Sequence, residues 1–418
     1  MVRLVLEQPE FGRRLRQLRQ QQGRSQADLT GTGMSAAYLS RLESGARPPT
    51  ERAVAYLAAR LDLPVEAFEL PADCDLADAL AATMGRSVPE GDPEVRDMLS
   101  HALANAEDAD PTTRWQALAQ LARLHGALGD RGPERDTLLE LTALSDELAR
   151  PALQVHARLQ LARCARGLGD PRAARRAVRE ALDLGARHHV HVPAAELTRA
   201  RMLLVSTEAE LGDLAEAARL AAEVHAAVEC ERGPLAAEAR WTLATVRARQ
   251  GDHAGAAELI RHAIEGLDSH ADLTLWMRLR LAAASLALQA MPPEAERARS
   301  FLDTLDAVLP LVASPQHLAE FLLLKGQTAF LRGELEQARA ACRQAAEGRQ
   351  LLFYRDRVRL DVLEARIAVA SGEPEALARL RHLAAEAQAA GNPDLAAEVW
   401  RAVADTLAPP LTPAPSSA

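Results

Sequence analysis

Between Ser25 and Gly45 the chain sets side chains that could touch a polar surface onto a short scaffold. Ala36, Ala37, Tyr38 and Arg41 fall on one side of a helical repeat whose other side carries Leu39 and Leu42. Small residues let a backbone come close to a ligand, and one phenol and one guanidinium add directional hydrogen bonds. That set suits recognition of base edges in a groove and has no obvious use in bond making. Three things must position it. Ser25 reads as the N-cap of a first helix of about two turns, with Leu29 on its buried side. Gly31 and Gly33 permit the tight backbone that follows. Ser35 then caps the second helix, and Gly45 ends it where a left-handed residue is wanted. Two short helices joined by a glycine turn have the geometry that fits a helix into a DNA major groove.

The same residues carry a resemblance. Arg16-Gln17-Leu18-Arg19, Gly23-Arg24-Ser25-Gln26, Tyr38-Leu39-Ser40-Arg41-Leu42-Glu43-Ser44-Gly45 and Arg47-Pro48-Pro49-Thr50 resemble the Cro/repressor (xenobiotic-response-element) helix-turn-helix family, over Pro9 to Leu70. The resemblance implies that Ser35, Ala36, Ala37, Tyr38 and Arg41 face bases of a double-stranded operator. Arg41 would reach guanine O6 and N7, and Ala36 and Ala37 would touch thymine methyls. Gln26 and Arg47 would hold phosphates, whereas Arg19 and Glu43 match positions that pair internally. One such motif buries limited area, so a homodimer on sites about 34 Å apart is expected. The family usually has one more residue between the Ser-Gln pair and the second helix, which predicts a tighter turn over Thr30 to Met34.

Charge agrees with this placement. The 418 residues carry a net −9, yet residues 10–60 hold nine arginines against four acids, a local +5 that leaves −14 elsewhere. A basic module on an acidic body predicts phosphate binding in one place only. The chain is 48% hydrophobic but 3% aromatic, so alanine and leucine supply the apolar mass and the composition is helical. Lys325 is the only lysine, so a single arginine is a weak signal in this chain. Cys74, Cys164, Cys230 and Cys342 are scattered and indicate neither a zinc finger nor a disulfide framework. With no signal peptide or membrane span in view, the chain reads as cytoplasmic.

An all-α architecture follows, a small five-helix DNA-binding domain ahead of an α-solenoid of about seven helix pairs. Pro9 opens a first helix with Phe11, Leu15 and Leu18 inside, after a loose start at Met1 to Gln8. Thr50 caps a fourth helix burying Val54, Leu57, Ala58 and Leu61, and Pro64 to Phe68 forms a fifth. The domain spans 1–70, followed by an acidic linker over 71–111 with helices near Leu76–Met84 and Glu94–Ala106. The solenoid takes 112–408, its last helix, Pro393 to Leu407, capping the stack. A Pro/Ser-rich, disordered tail takes 409–418.

Turn signals recur at Gly129, Gly169, Gly212, Gly251, Pro292, Gly333 and Gly372 at spacings of 39 to 43 residues. A small residue stands seven positions before the turn (Ala122, Ala162, Ala244, Gly326, Ala365). Alanine stands five after it (Ala174, Ala217, Ala256, Ala338) and twelve after it (Ala181, Ala263, Ala345, Ala384). These are packing positions that let helices approach closely. Val205, Leu377 and Glu134 break the pattern.

The pattern resembles the tetratricopeptide repeat, stretched beyond its usual period of about 34. By that resemblance the groove is lined by Arg123, His156, Arg163, Arg166, Arg199, Met202, Trp241, Gln327, Phe330 and Arg366. The plan resembles bacterial regulators that join such a DNA module to a sensor of signalling peptides, which implies a peptide ligand. A protein partner, or dimerisation alone, would use the same surface. The alternative is an adaptor whose small domain tethers a partner protein. His188-His189-Val190-His191 lacks a carboxylate or cysteine at ligand spacing, so it reads as a solvated loop and no metal is expected. No cofactor motif or catalytic constellation is present, and no enzyme is expected.

Overall fold

In a computed structural model the described residues are 8, 10–68, 76–84, 91–106, 109–187, 192–229, 231–373 and 375–407. Among them the only extended pairing is one antiparallel bridge, Gly31 with Met34; the remaining regular structure is helical. The chain forms two compact units, Met1–Ala81 with Met98–Glu107 and Ala82–Asp97 with Asp108–Ala418.

The first unit is built on α1 (Glu10–Gln21), α2 (Ala36–Glu43) and α3 (Glu51–Leu61), with single 3-10 turns at Ala27–Leu29 and Val65–Phe68. Leu15, Leu29, Leu39, Leu42, Leu57 and Leu61 are wholly buried and converge with Phe11 and Phe68, whose rings stack at 5.8 Å. Thr50 caps α3 as expected, its hydroxyl accepting from the Ala53 amide at 3.2 Å.

Four expectations need correction. The first motif helix is one 3-10 turn rather than two α turns. Ser25 closes it reciprocally with Asp28, its amide and hydroxyl both donating to that carboxylate at 2.7 Å. The missing residue noted in the sequence leaves no room for a second turn. The fifth helix is likewise a 3-10 turn. Gly31 and Gly33 are not left-handed. A Cβ on Gly33 would lie 2.9 Å from the Tyr56 ring, and one on Gly31 would lie 2.6 Å from the Tyr56 hydroxyl. The glycines admit α3 side chains over the turn, and Arg60 then ties it by donating to the Thr30 carbonyl at 3.2 Å. Gln8 is anchored rather than loose, its amide donating to the Leu42 and Arg47 carbonyls at 3.0 and 2.8 Å.

Two helices occupy the expected junction, α4 (Leu76–Met84) and α5 (Pro93–Asn105), and the division between the units falls within it. Helix pairs then follow in chain order: α6 (Pro111–Leu128) with α7 (Arg131–Glu147), α8 (Pro151–Leu168) with α9 (Pro171–Arg187), α10 (Ala194–Glu210) with α11 (Leu214–Ala227), and α12 (Pro234–Arg249) with α13 (His253–Glu265). Next come α14 (Leu273–Gln289) with α15 (Ala295–Asp303), the short α16 (Leu309–Val312), α17 (Pro315–Leu331) with α18 (Leu335–Glu347), and α19 (Tyr354–Ala370) with α20 (Ala376–Ala389). The last is α21 (Pro393–Leu407). The six turn glycines have φ between 79° and 93°, the left-handed closure a Cβ would resist. Ala162, Ala174, Ala181, Ala217, Ala244, Ala263, Ala338, Ala345, Ala365 and Ala384 are fully buried, so the fixed offsets are helix contacts. Val205 is also fully buried in the small-residue position of α10.

The stack does more than run on and end. Its last repeat returns to the first ones, so α21 is not only a cap. Asn392 donates to the Gly169 carbonyl at 2.9 Å, and Pro393 lies against Gly212. The Arg131 guanidinium sits 5.1 Å above the Phe353 ring, and Tyr354 covers Gly169. Asp394 meets Arg355 at 2.8 Å and Arg249 at 3.5 Å, and Glu398 meets Arg359 at 2.7 Å. Residues more than two hundred positions apart are thereby joined through an amide and an arginine–ring contact, and the carboxylates tie α21 to α12 and α19.

Candidate nucleic-acid interface and inner wall

The recognition face of the first unit is the outer side of α2. Ser35 caps it, its hydroxyl accepting from the Tyr38 amide at 3.2 Å. Ser35, Ala36, Ala37 and Arg41 are exposed, Tyr38 is half-buried, and Leu39 and Leu42 face the core. The helix's only acid, Glu43, is buried, so the outward face carries no carboxylate. Arg41 bends back so that its Nε donates to the Ala37 carbonyl at 3.1 Å. Arg47 lies 4.9 Å above the Tyr38 ring and hydrogen-bonds the Arg41 carbonyl through its backbone amide at 3.2 Å. Tyr38, Arg41 and Arg47 therefore form one connected edge.

Beneath it a buried carboxylate fixes the motif. Glu43 accepts from Arg19 at 2.6 and 3.0 Å and from the Gln26 side-chain amide at 2.7 Å. Its side chain is 1% exposed. Burial opposes its charge, but the bonds from Arg19 and Gln26 outweigh it and hold the carboxyl below the ordinary glutamate range. The internal Arg19–Glu43 pair is thus observed. Gln26 stands at the foot of the 3-10 turn, but its side-chain amide is turned inward to Glu43.

In the solenoid, the sequence-derived groove residues separate into three groups. Arg123, His156, Arg163 and Arg199 share a wall on α6, α8 and α10. Partial burial, followed by the positive charge of Arg163 and Arg123, lowers the pKa of His156, whose ring lies 5.6 Å from that of Trp115. Arg199 is neutralised, meeting Glu238 at 2.9 Å and Glu196 at 3.2 Å. Trp241 is half-buried under Arg278, 5.1 Å from its ring. Gln327, Phe330 and Arg366 form a second group and line one pocket of about 130 Å³ between α14, α17, α19 and α21.

One residue leaves the groove, and another is taken up in an ion pair. Met202 is 7% exposed and packs with Val224, Val228, Ala236 and Ala239, so it is core. Helix α10 has neighbours on most sides, and the offset mapping assumed one open face. Arg166 is tied to Glu210 at 2.9 Å and braces α8 against α10. The α21 side of the pocket, with Val399, Arg401 and Asp405, was missed because that helix reads as an end cap. Its signal is in the sequence: Asp394 and Glu398, four apart, share a face beside buried Leu395 and Val399. Cys164 and Cys342 are buried, which pushes their thiols up to about 12. The His188–His191 run, Cys74, Cys230, Pro9 and the 409–418 tail lie outside the described residues. Among the described residues no helix is long and apolar enough to cross a membrane.

A helix-turn-helix domain model matches residues 10–70. No curated protein matches the sequence. Solved structures resemble the chain at fold level. NprR in complex with its cognate peptide NprX is 14% identical, with 79% of this chain and 85% of that one covered and a TM-score of 0.55. A Rap protein complexed with Competence and Sporulation Factor is 11% identical, covering 85% and 92% at a TM-score of 0.55. The apo quorum sensor NprR from B. thuringiensis is 13% identical, covering 96% and 98% at 0.50. Residues 10–70 are a helix-turn-helix domain, and the chain is all-helical with the fold of these repeat proteins.

Proposed function

We propose that the chain is a sequence-specific DNA-binding transcription regulator whose solenoid takes a peptide or protein ligand and which binds its operator as a homodimer. The observation that carries the reading is the outward face of α2, free of carboxylates and edged by Arg41 and Arg47. Such a face can approach a polyanion without repulsion, and small Ala36 and Ala37 allow close contact. Gln26 and Arg47 are assigned to phosphates, Gln26 through its backbone amide, since its side chain serves Glu43. The ligand reading is supported by the shared fold with NprR and Rap, each solved with a peptide or factor bound. Two copies are proposed because one short helix reads few base pairs. A ligand would act by favouring one arrangement of the two DNA modules over another.

Selection of random duplexes by the full-length protein tests this. Enrichment of one short repeated site is expected, with binding that weakens steeply as salt rises. Arg41→Ala should cost about 1–3 kcal/mol at one base pair of each half-site. No enrichment, together with a stoichiometric protein partner on purification, would instead favour the adaptor reading. Sedimentation with and without the selected duplex tests the homodimer.

A further inference from the structure

The pocket between α14, α17, α19 and α21 is lined by Arg366 together with Arg401, with Arg359, which is paired to Glu398, and with Asp405, whose charge favours the Arg366 cation from beyond ion-pair distance. Among the described residues Arg366 has no hydrogen-bond or ion-pair partner, and its Nε is buried. The Phe330 ring covers one face of its guanidinium at 4.8 Å. A stacked guanidinium keeps its in-plane donors free, and that edge matches a carboxylate bidentately. Gln327 lines the same pocket, and among the described residues no hydrogen bond engages its side chain. Leu288, Leu331, Val362 and Val399 add aliphatic surface to the same lining, beside its charged side chains. Arg199, on α10, already has two carboxylates and needs no anion.

We propose that this pocket receives the C-terminal residue of an extended peptide, the free carboxylate on Arg366 and an aliphatic side chain against the leucine and valine walls. The inference rests on the ligand reading given under Proposed function and names the end of the ligand that is read. A C-terminal aliphatic residue carries both groups on one α-carbon, as the juxtaposed guanidinium and apolar walls require. An internal aspartate or glutamate would present its charge on a side chain with no apolar group for those walls. Burial lowers the Arg366 pKa by more than the charge of Asp405 raises it, a desolvation cost that an incoming carboxylate in direct contact would offset further.

Calorimetric titration of the full-length protein tests the proposal with three probes: acetyl-Ala-Ala-Leu as the free acid, the same peptide as its C-terminal amide, and 4-methylpentanoate. The free acid should bind about tenfold or more tightly than the amide. Arg366→Met should erase that preference, and Arg366→Lys should keep part of it. Equal affinity for acid and amide in the wild type overturns the proposal while leaving a peptide ligand intact, and needs no variant to fold. A preference that survives Arg366→Met also overturns it. Binding of 4-methylpentanoate as tight as that of the tripeptide would overturn the peptide clause and assign the pocket to a free branched-chain acid. Absence of binding by all three overturns the pocket assignment, whereas the DNA reading falls only with the duplex selection.

Discussion

Glu43 in the first unit and Glu398 in the second meet the same demand over different reaches. Glu43 is tied to Arg19 and Gln26, all within 24 residues, and its side chain is 1% exposed. Glu398 is 30% exposed and joins Arg359 and Arg355, some 40 residues back, in a run of charges that continues through Asp394 to Arg249. The first arrangement sets the angle of one short helix. The second joins the last helix to the repeats it meets. An arginine-paired carboxylate therefore locates a motif in one unit, where it is buried, and a closure in the other, where it is part-exposed.

Removing each carboxylate sharpens the contrast. Glu43→Ala should have the largest effect, about 3–5 kcal/mol, because it leaves Arg19 nearly buried and unpaired. Hydrogen exchange of α2 amides under native conditions would read it, and duplex binding should fall with it. Glu398→Ala should cost about 1.5–3 kcal/mol, since water reaches the site and Asp356 still meets Arg359 at 3.2 Å. A denaturant titration followed at the solenoid helices would measure it. Equal costs would mean that exposure does not set the difference.

A third carboxylate has no direct ion pair among the described residues, and Arg278 and Arg359 act on it only from a distance. Burial, then the charge of Asp356, pushes Glu320 up to about 7. Glu398 is held down at about 2: burial opposes its anion, but Arg359 outweighs it. The signs of their pH dependence are opposite. Glu398 supports the fold above the ordinary glutamate pKa of about 4.3, and that support is withdrawn as pH falls toward about 2. Glu320 favours the fold when protonated, and that contribution is lost as pH rises from about 4.3 through about 7. Glu320→Gln should therefore raise solenoid stability at pH 8 by about 1–2 kcal/mol, a figure discounted for solvent screening, and leave it unchanged at pH 4. Thermal unfolding at the two pH values gives the answer. A gain of equal size at both would point to packing instead of charge.

These groups differ in how readable they were. The alanines at fixed offsets from each turn were legible because they recur, and a contact repeated at a constant spacing leaves a period in the sequence. The Arg19–Glu43 pair was legible through resemblance alone. Arg249, Arg355, Asp394 and Glu398 have no period, and in an arginine-rich chain no single arginine stands out. Gly31 and Gly33 were marked as necessary for the wrong reason, since the Tyr56 ring that needs their space comes from another helix. Met202 was misplaced because the sequence does not say that α10 is enclosed on both sides.

The smallest effect concerns Arg199. Its side chain is 34% exposed and Glu238 is 20% exposed, so the pair sits in water-accessible wall. Arg199→Ala should cost no more than about 1 kcal/mol of stability, because solvent screens the attraction and two long side chains regain freedom. It also releases Glu238 and Glu196, which still feel Arg163, and lowers the charge of this wall by one while the Arg366 pocket keeps its charge. A peptide whose carboxylate is read at Arg366 should then bind with an unchanged acid-to-amide ratio, even if its overall affinity shifts. If the ratio itself collapsed in Arg199→Ala, the two stretches of wall would be acting as one site, and the distinction between a neutralised wall and an unpaired guanidinium would not hold.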